Sequence, residues 1–388
     1  MPRVTTLLVL VLAAMSAFGP LATDMYLPAF PAIAAGLGAD PAAVQKTLAS
    51  FFAGMAIAQL VFGPLADRFG RRPPLLVGLA IFITGSIGCA LTADIGWLTT
   101  WRFVQGLGGC AGMVMARAIV RDVSEGPATI RLMSRLMLVV TLAPILAPSL
   151  GSLLLDLGGW RAIFWALVAY GVGLAVVVSR ILPETLAPER RRRDSLGGIL
   201  TVYLRLLTSR RFMGLTLSGV LPMAGIFAYI AGSPFVFMEL HQVTPAQYGL
   251  FFGGNALGIM AVAQLNAWLS TRQPPERVLL FGLVSMASAG IALAILSPTG
   301  SLLGVAVPLF VYVASIGMVM PVASALAMAS QGRTAGSASA LIGTLQFTGG
   351  AVAGGMVGAL YDGTAMPMAG VIAVAGTAGL LSRLFLLR

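Results

Sequence analysis

The sequence predicts an all-α membrane protein of twelve transmembrane helices arranged as two six-helix bundles. Three observations carry this expectation. Of the 388 residues, 58% are hydrophobic and only 10% are charged, whereas a soluble domain carries about 25% charged residues. Apolar windows recur along the chain between clusters of charge, glycine and proline, and a bilayer core of about 30 Å takes roughly 20 residues per helix, so this length holds about twelve spans. A long polar stretch lies near the middle, and the sequences on its two sides echo each other weakly.

The first six windows fall at residues 5–28, 44–65, 74–93, 97–119, 131–155 and 160–182. The second six fall at 212–237, 246–269, 277–297, 300–328, 336–360 and 366–386. The opening MPRVTTLLVLVLAAMSAF imitates a signal peptide, but its apolar run continues past Ala22 and many more windows follow, so it reads as an uncleaved first span. The 47 glycines fit close helix packing in lipid, where small side chains let backbones approach.

Charge placement sets the expected orientation. With a cytoplasmic amino terminus, alternate loops hold Arg68, Arg71 and Arg72, then Arg117, Arg121, Arg131 and Arg135, then the arginines from Arg180 to Arg211, and later Arg272, Arg277, Arg333, Arg383 and Arg388. The opposite side keeps Lys46 and Arg161. This excess of basic residues on one side places both termini in the cytoplasm. It also accounts for the net charge of +11 without a nucleic-acid partner, since no polar domain gathers the charge.

The stretch 183–211, with ETLAPERRRRDS, reads as a cytoplasmic linker between an amino-terminal bundle over 1–182 and a carboxy-terminal bundle over 212–388. Its run Arg190–Arg193 is favoured as a topology anchor over a binding patch for anionic lipid headgroups. AQL at 58–60 returns at 263–265, PLLVGL at 74–79 returns as VLLFGL at 278–283, and Pro31 returns as Pro234. A shared offset of this kind is what two parallel repeats would leave, with a substrate site between them near the midplane.

Few residues carry chemistry. Asp24 stands near the far end of an otherwise uncharged first span, where an ionisable group is costly and its default reading is functional. A partly dry carboxyl takes up and releases protons under the opposed influences of desolvation and nearby cations. The plainer alternative is an interfacial residue capping the next short segment. Arg102 lies about six residues inside the fourth span, with Gln105 one turn later. A guanidinium keeps its proton, so its role would be to bias a nearby carboxyl or to bind substrate, with snorkelling to the interface as the bland alternative. Met223, Phe227, Tyr229, Asn255 and Gln346, together with Gln105, are candidates for a pliable substrate cavity, though ordinary packing explains most such residues. His241 reads as a surface residue. Cys89 and Cys110 fall inside apolar runs and read as small buried hydrophobes. No nucleophile and base pair and no metal-ligand cluster is evident, so neither catalysis, metal nor cofactor is expected.

Gly63–Leu76, GPLADRFGRRPPLL, resembles the major facilitator superfamily signature between the second and third helices. Gly63 and Gly70 would permit a tight turn, and Asp67 would meet a helix amino terminus or an arginine, with Arg117 or Arg121 as partner. The resemblance implies a conformational latch made of Gly63, Asp67, Arg68, Gly70, Arg71, Arg72 and Arg121. RFVQG from Arg102 is similar to a signature of proton-coupled members. LAPILAPSLGSLLLDLGGW, with Pro144, Pro148 and Gly151, resembles the antiporter signature of drug exporters, except that Ala147 stands where glycine is usual.

Together with TDMYLPAFP, PETLAPERR and AGSPFVFMELHQVTPAQYG, these motifs resemble the bicyclomycin-resistance (Bcr/CflA) family of drug and proton antiporters. The resemblance implies the major facilitator fold, alternating access, and export of small, largely apolar drugs against protons across a bacterial inner membrane by a monomer. Ser16 stands where some related exporters have a second acid, which would leave proton coupling mainly to Asp24. Export of an endogenous metabolite, such as an amino acid or short peptide, is the competing expectation.

Overall fold

In the computed structural model, residues 6–124, 127–191, 196–329, 331 and 334–386 are described. Arg192, Arg193, Arg333 and Arg388 of the expected cytoplasmic arginines lie outside them. The described chain is almost wholly helical: α1 (Thr6–Asp24), α2 (Phe30–Leu37), α3 (Pro41–Phe69), α4 (Arg72–Leu91), α5 (Ile95–Val123), α6 (Pro127–Ile181), α7 (Leu196–Thr208), α8 (Arg210–Pro234), α9 (Pro245–Leu269), α10 (Pro275–Leu296), α11 (Leu302–Met328), α12 (Ala335–Ala359) and α13 (Met366–Leu386). Helices satisfy every backbone group internally, which is what a span without water requires.

Eleven helical stretches among the described residues are long and apolar enough to cross a bilayer. One of them, Leu142–Ile181, has 40 residues, about 60 Å as a single rod and twice a hydrocarbon core. It breaks at Gly158 and Gly159, whose φ angles are −153° and 71°. This stretch is therefore a helical hairpin holding two spans, and the total is twelve. Large apolar side chains such as Leu10, Val77, Leu157, Leu250, Ile295 and Val374 stand on the outside, because lipid is the solvent there.

Contacts divide the chain into two compact units, Met1–Ala39 with Ser50–Asp194, and Asp40–Ala49 with Ser195–Arg388. The segment expected as one linker is thus shared, its first residues going with unit 1 and α7 with unit 2, where α7 packs on α8 and α12. Within unit 1, α1 packs on α5 and α6, and α4 packs on the same two helices. Within unit 2, α8 packs on α11 and α13, and so does α10. The same internal pattern therefore occurs twice.

Two expected spans are not simple helices. The first stops at Asp24, passes through a 3₁₀ turn at Leu27–Ala29 and resumes as α2, which ends at Gly38 with φ 58°. Pro28 withholds a backbone donor at that turn, so the break falls there. The seventh span ends α8 at Pro234 and continues as a π-helical turn over Phe235–Leu240. Such turns are rare and often mark functional places.

Candidate functional site

Asp24 is the last residue of α1 and is 4% exposed. The helix break after it follows from Pro28, and the ring of Tyr26 packs on Phe30 and Phe164 to hold the turn. Gly151 of α6 seats this turn from the other side: a Cβ at 151 would run into the Met25 carbonyl oxygen. The segment that resembles the antiporter signature thus touches the backbone next to Asp24. Pro148 beside it is buried and Pro144 half-buried. Among the described residues, the two ion pairs found both belong to Arg71, and neither includes Asp24.

Arg102 of α5 is 0% exposed. Its guanidinium carbon lies 4.4 Å from the Tyr26 ring centre and 4.3 Å from that of Phe51. Nη1 donates to the Ala22 carbonyl at 3.1 Å and to Gln105 Oε1. The Gln105 amide donates in turn to Ser86 Oγ at 2.7 Å, and Ser86 donates to the Phe82 carbonyl at 2.8 Å. Nε and Nη2 of Arg102 have no hydrogen-bond partner among the described residues. Arg102 does not snorkel. Two aromatic faces contribute about 1–2 kcal/mol each to a desolvated cation, well short of the cost of burying a charge, so the arrangement favours an anionic or strongly accepting group at the two free donors.

Arg102 thereby grips the α1 turn on both sides of Asp24, through Ala22 and through Tyr26. Tyr26, Phe51 and Ser86 were not among the expected site residues. The TDMYLP run contains Tyr26, but only the α1 break directs its ring toward α5.

The α3–α4 loop forms a second cluster in unit 1. Arg71 Nη1 meets Asp67 Oδ1 at 2.7 Å, four residues back across the Gly70 turn, and Nε meets Asp122 Oδ2 at 2.7 Å. Burial disfavours the Arg71 charge, but hydrogen bonds and charge interactions with Asp122 and Asp67 outweigh it and hold its pKa above the ordinary guanidinium value. Arg72 donates to the Ser179 carbonyl. Arg68 is exposed and lies 5.5 Å over the Phe69 ring. Gly63 is half-buried with open space where a Cβ would point. Asp67 takes Arg71, while Arg117 donates within its own helix to Met113 and Arg121 is exposed. Asp122, one residue beyond Arg121, is the acid that closes this cluster.

In unit 2, the Asn255 amide donates to Tyr229 Oη at 2.9 Å, and the Tyr229 ring stacks on Phe252 with centres 5.5 Å apart. Ser233 Oγ and Tyr248 Oη lie 2.9 Å apart on the neighbouring turn. Phe227 packs beside Phe347, with ring centres 6.0 Å apart. Gln346 donates toward Met320 Sδ at 3.4 Å. Met223 is half-buried. Tyr229 and Asn255 are brought together, while Gln346 belongs to a separate contact. Cys89 and Cys110 are buried free thiols, and Cys110 Sγ donates to Gln59 Oε1 at 2.7 Å.

Comparison with known proteins gives this arrangement a family. The Major Facilitator Superfamily profile matches residues 9–354. The chain is 36% identical to the MFS-type transporter YdgK of Bacillus subtilis, covering 97% of this chain and 94% of that one. It is 32% identical to a bicyclomycin resistance protein homolog of Haemophilus influenzae, over 94% of this chain and 92% of the relative. It is 31% identical to the multidrug resistance protein MdtL of Escherichia fergusonii, over 85% and 83%. In fold it resembles the xylose transporter XylE from E. coli, with TM-score 0.74 and 13% identity over 98% and 96% of the two chains. The nucleoside transporter NupG is similar at TM-score 0.75 and 12% identity over 98% and 99%. The chain belongs to the Major Facilitator Superfamily as a multi-pass membrane transporter of the Bcr/CflA type, and not to an enzyme family.

Proposed function

We propose that the protein is a proton-coupled exporter of small, largely apolar compounds of the bicyclomycin and chloramphenicol kind, working by alternating access. The observation that carries this reading is a carboxyl, Asp24, that is 4% exposed at a helix break and has no ion pair among the described residues. Its turn is held by an arginine with two unpartnered donors. A carboxyl in such surroundings is neutral when it holds a proton, and when it loses the proton its charge calls for a cation and hydrogen-bond donors. In this reading Arg102, which reaches that turn from α5 through Ala22 and Tyr26, is the group that supplies both. Proton loss at Asp24 and drug binding are thereby coupled: a drug acceptor that engages Arg102 removes the support for the Asp24 anion, and the anion removes the free donors. The names of the relatives, resistance to bicyclomycin and to multiple drugs, support a drug as cargo.

In this reading Gly63, Asp67, Arg68, Gly70, Arg71, Arg72 and Arg121 serve the conformational latch, and Pro144, Pro148 and Gly151 form the antiporter segment. Gln105, Met223, Phe227, Tyr229, Asn255 and Gln346 are the candidates for contact with the cargo. The protein acts as a monomer in a bacterial inner membrane with both termini cytoplasmic, its linker following residue 182.

The test is drug-induced proton release from purified protein, with chloramphenicol and bicyclomycin as probes and Asp24→Asn as control. Release that disappears in Asp24→Asn is expected. Binding without release would sink proton exchange, and export of an amino acid or short peptide by cells lacking any resistance phenotype would replace the drug by a metabolite.

A further inference from the structure

The α3–α4 cluster is completed by two residues that lie just past α6. Glu184 Oε1 accepts from the Arg71 backbone N–H at 2.8 Å, and Oε2 accepts from that of Arg72 at 3.2 Å. The same Oε1 accepts from the Leu186 N–H at 3.0 Å, so one carboxylate holds both the start of α4 and its own loop. Thr185 Oγ1 donates to Asp122 Oδ2 at 3.0 Å, the oxygen that also receives Arg71 Nε. Gly70 has φ 95°, and a Cβ there would collide with the Glu184 carboxylate. Position 70, two residues before the helix, is thus glycine for two reasons, the left-handed turn and the room it leaves for Glu184.

The first turn of a helix has backbone donors without partners, and an anion there also meets the positive end of the helix dipole. At α4 the residue before the helix is Arg71, whose side chain makes no cap. The anion comes instead from 112 and 113 residues away in sequence. Arg71 is therefore held at its backbone by Glu184 and at its guanidinium by Asp67 and Asp122, while Thr185 orients Asp122.

We propose that Glu184 and Thr185 make the start of the linker a working part of the α3–α4 latch, an inference that rests on the latch role proposed for that loop. Glu184 is a positioning residue. It sets the Arg71 backbone so that the guanidinium reaches Asp122, and it ties that pairing to the chain that leads into the second unit. The linker is then a mechanical element of the switch, in addition to a topology anchor.

The test uses the full chain in liposomes with Glu184→Ala, Glu184→Gln, Thr185→Val and Thr185→Ser, read by amide hydrogen exchange and by chloramphenicol transport. Losing a charged cap should raise exchange of the Arg71 and Arg72 amides about tenfold in Glu184→Ala and less in Glu184→Gln, which keeps one acceptor. Exchange at 120–124 should rise in Glu184→Ala and in Thr185→Val, and return to the parent value in Thr185→Ser. Transport turnover should fall severalfold in Glu184→Ala while chloramphenicol affinity stays constant, a split that a general loss of structure would not produce. Unchanged exchange at the Arg71 and Arg72 amides overturns the proposal. Faster exchange confined to the Arg71 and Arg72 amides with normal turnover overturns it too, since Glu184 would then be a local cap. If the parent protein moves no chloramphenicol, the drug-export reading falls, and exchange at 120–124 alone decides the linker's role.

Discussion

Arg102 donates to the carbonyl of Ala22 across 3.1 Å, which ties a fully buried guanidinium to the last turn of α1, two residues before Asp24. The bond joins a cation that keeps its proton to the backbone around the carboxyl proposed to exchange one. Replacing Asp24 by asparagine keeps the shape of that turn and removes the titration. Proton-driven export should therefore vanish in Asp24→Asn while chloramphenicol still binds, as measured by isothermal titration beside proteoliposome transport.

Arg102→Met preserves most of the side-chain volume and removes the charge. Because burying an ion costs more than two aromatic faces return, the variant should melt at the same temperature as the parent or up to about 1–4 kcal/mol more stably. Transport should be lost all the same. Arg102→Lys keeps the charge without the planar fork that lies between Tyr26 and Phe51, and its turnover should fall at least about tenfold. A marked loss of stability in Arg102→Met would contradict this account.

Gly151→Ala places a methyl group against the Met25 carbonyl, and such overpacking costs about 1–3 kcal/mol. Gly173, in the second span of the α6 hairpin, has open space at that position, so Gly173→Ala should be neutral or gain a few tenths, within about 1 kcal/mol. Paired thermal melts in detergent check both, and equal effects at the two positions would remove the special role of the 151 contact.

Asp122 and Asp67 both grip Arg71, but their side chains are 14% and 43% exposed. Asp122→Asn should cost about 1.5–3 kcal/mol and Asp67→Asn less than about 1, by denaturant or thermal unfolding. The pH dependence follows from Arg71, whose pKa is raised in the folded protein. A raised cation contributes stability that is fully present below its unfolded value and is lost only as pH rises through the folded one. For a guanidinium both values lie above the working range, so this contribution should stay flat from roughly pH 5 to 10. A stability step near neutral pH would have to come from another group.

Tyr229→Phe leaves the Asn255 amide without the acceptor it has at 2.9 Å, and should destabilise by about 1 kcal/mol. Adding Asn255→Leu to it should recover much of the loss, because removing both polar partners spares the orphaned amide. A double-mutant cycle on the melting midpoint measures the coupling, and purely additive effects would show that the bond is not formed in the protein.

Composition and periodicity by themselves determined the twelve-span, all-helical membrane class. The reason is that lipid demands about 20 apolar residues with internally satisfied backbones, and no other arrangement of these windows meets that demand. They also singled out Asp24 and Arg102, since an ionisable residue inside an apolar window stands out on sight. Where local chemistry was needed, the reading was blurred: the first span was expected as one helix over 5–28, and Pro28 breaks it just after Asp24. Tertiary structure alone decided which partners meet. Tyr26 and Phe51 flank Arg102, Asp122 takes Arg71, and Glu184 caps α4 from more than a hundred residues away. Such pairings are long-range choices among many acids and aromatics of similar local context, and they are settled only when helix packing brings a few of them within 3 to 4 Å while others face lipid.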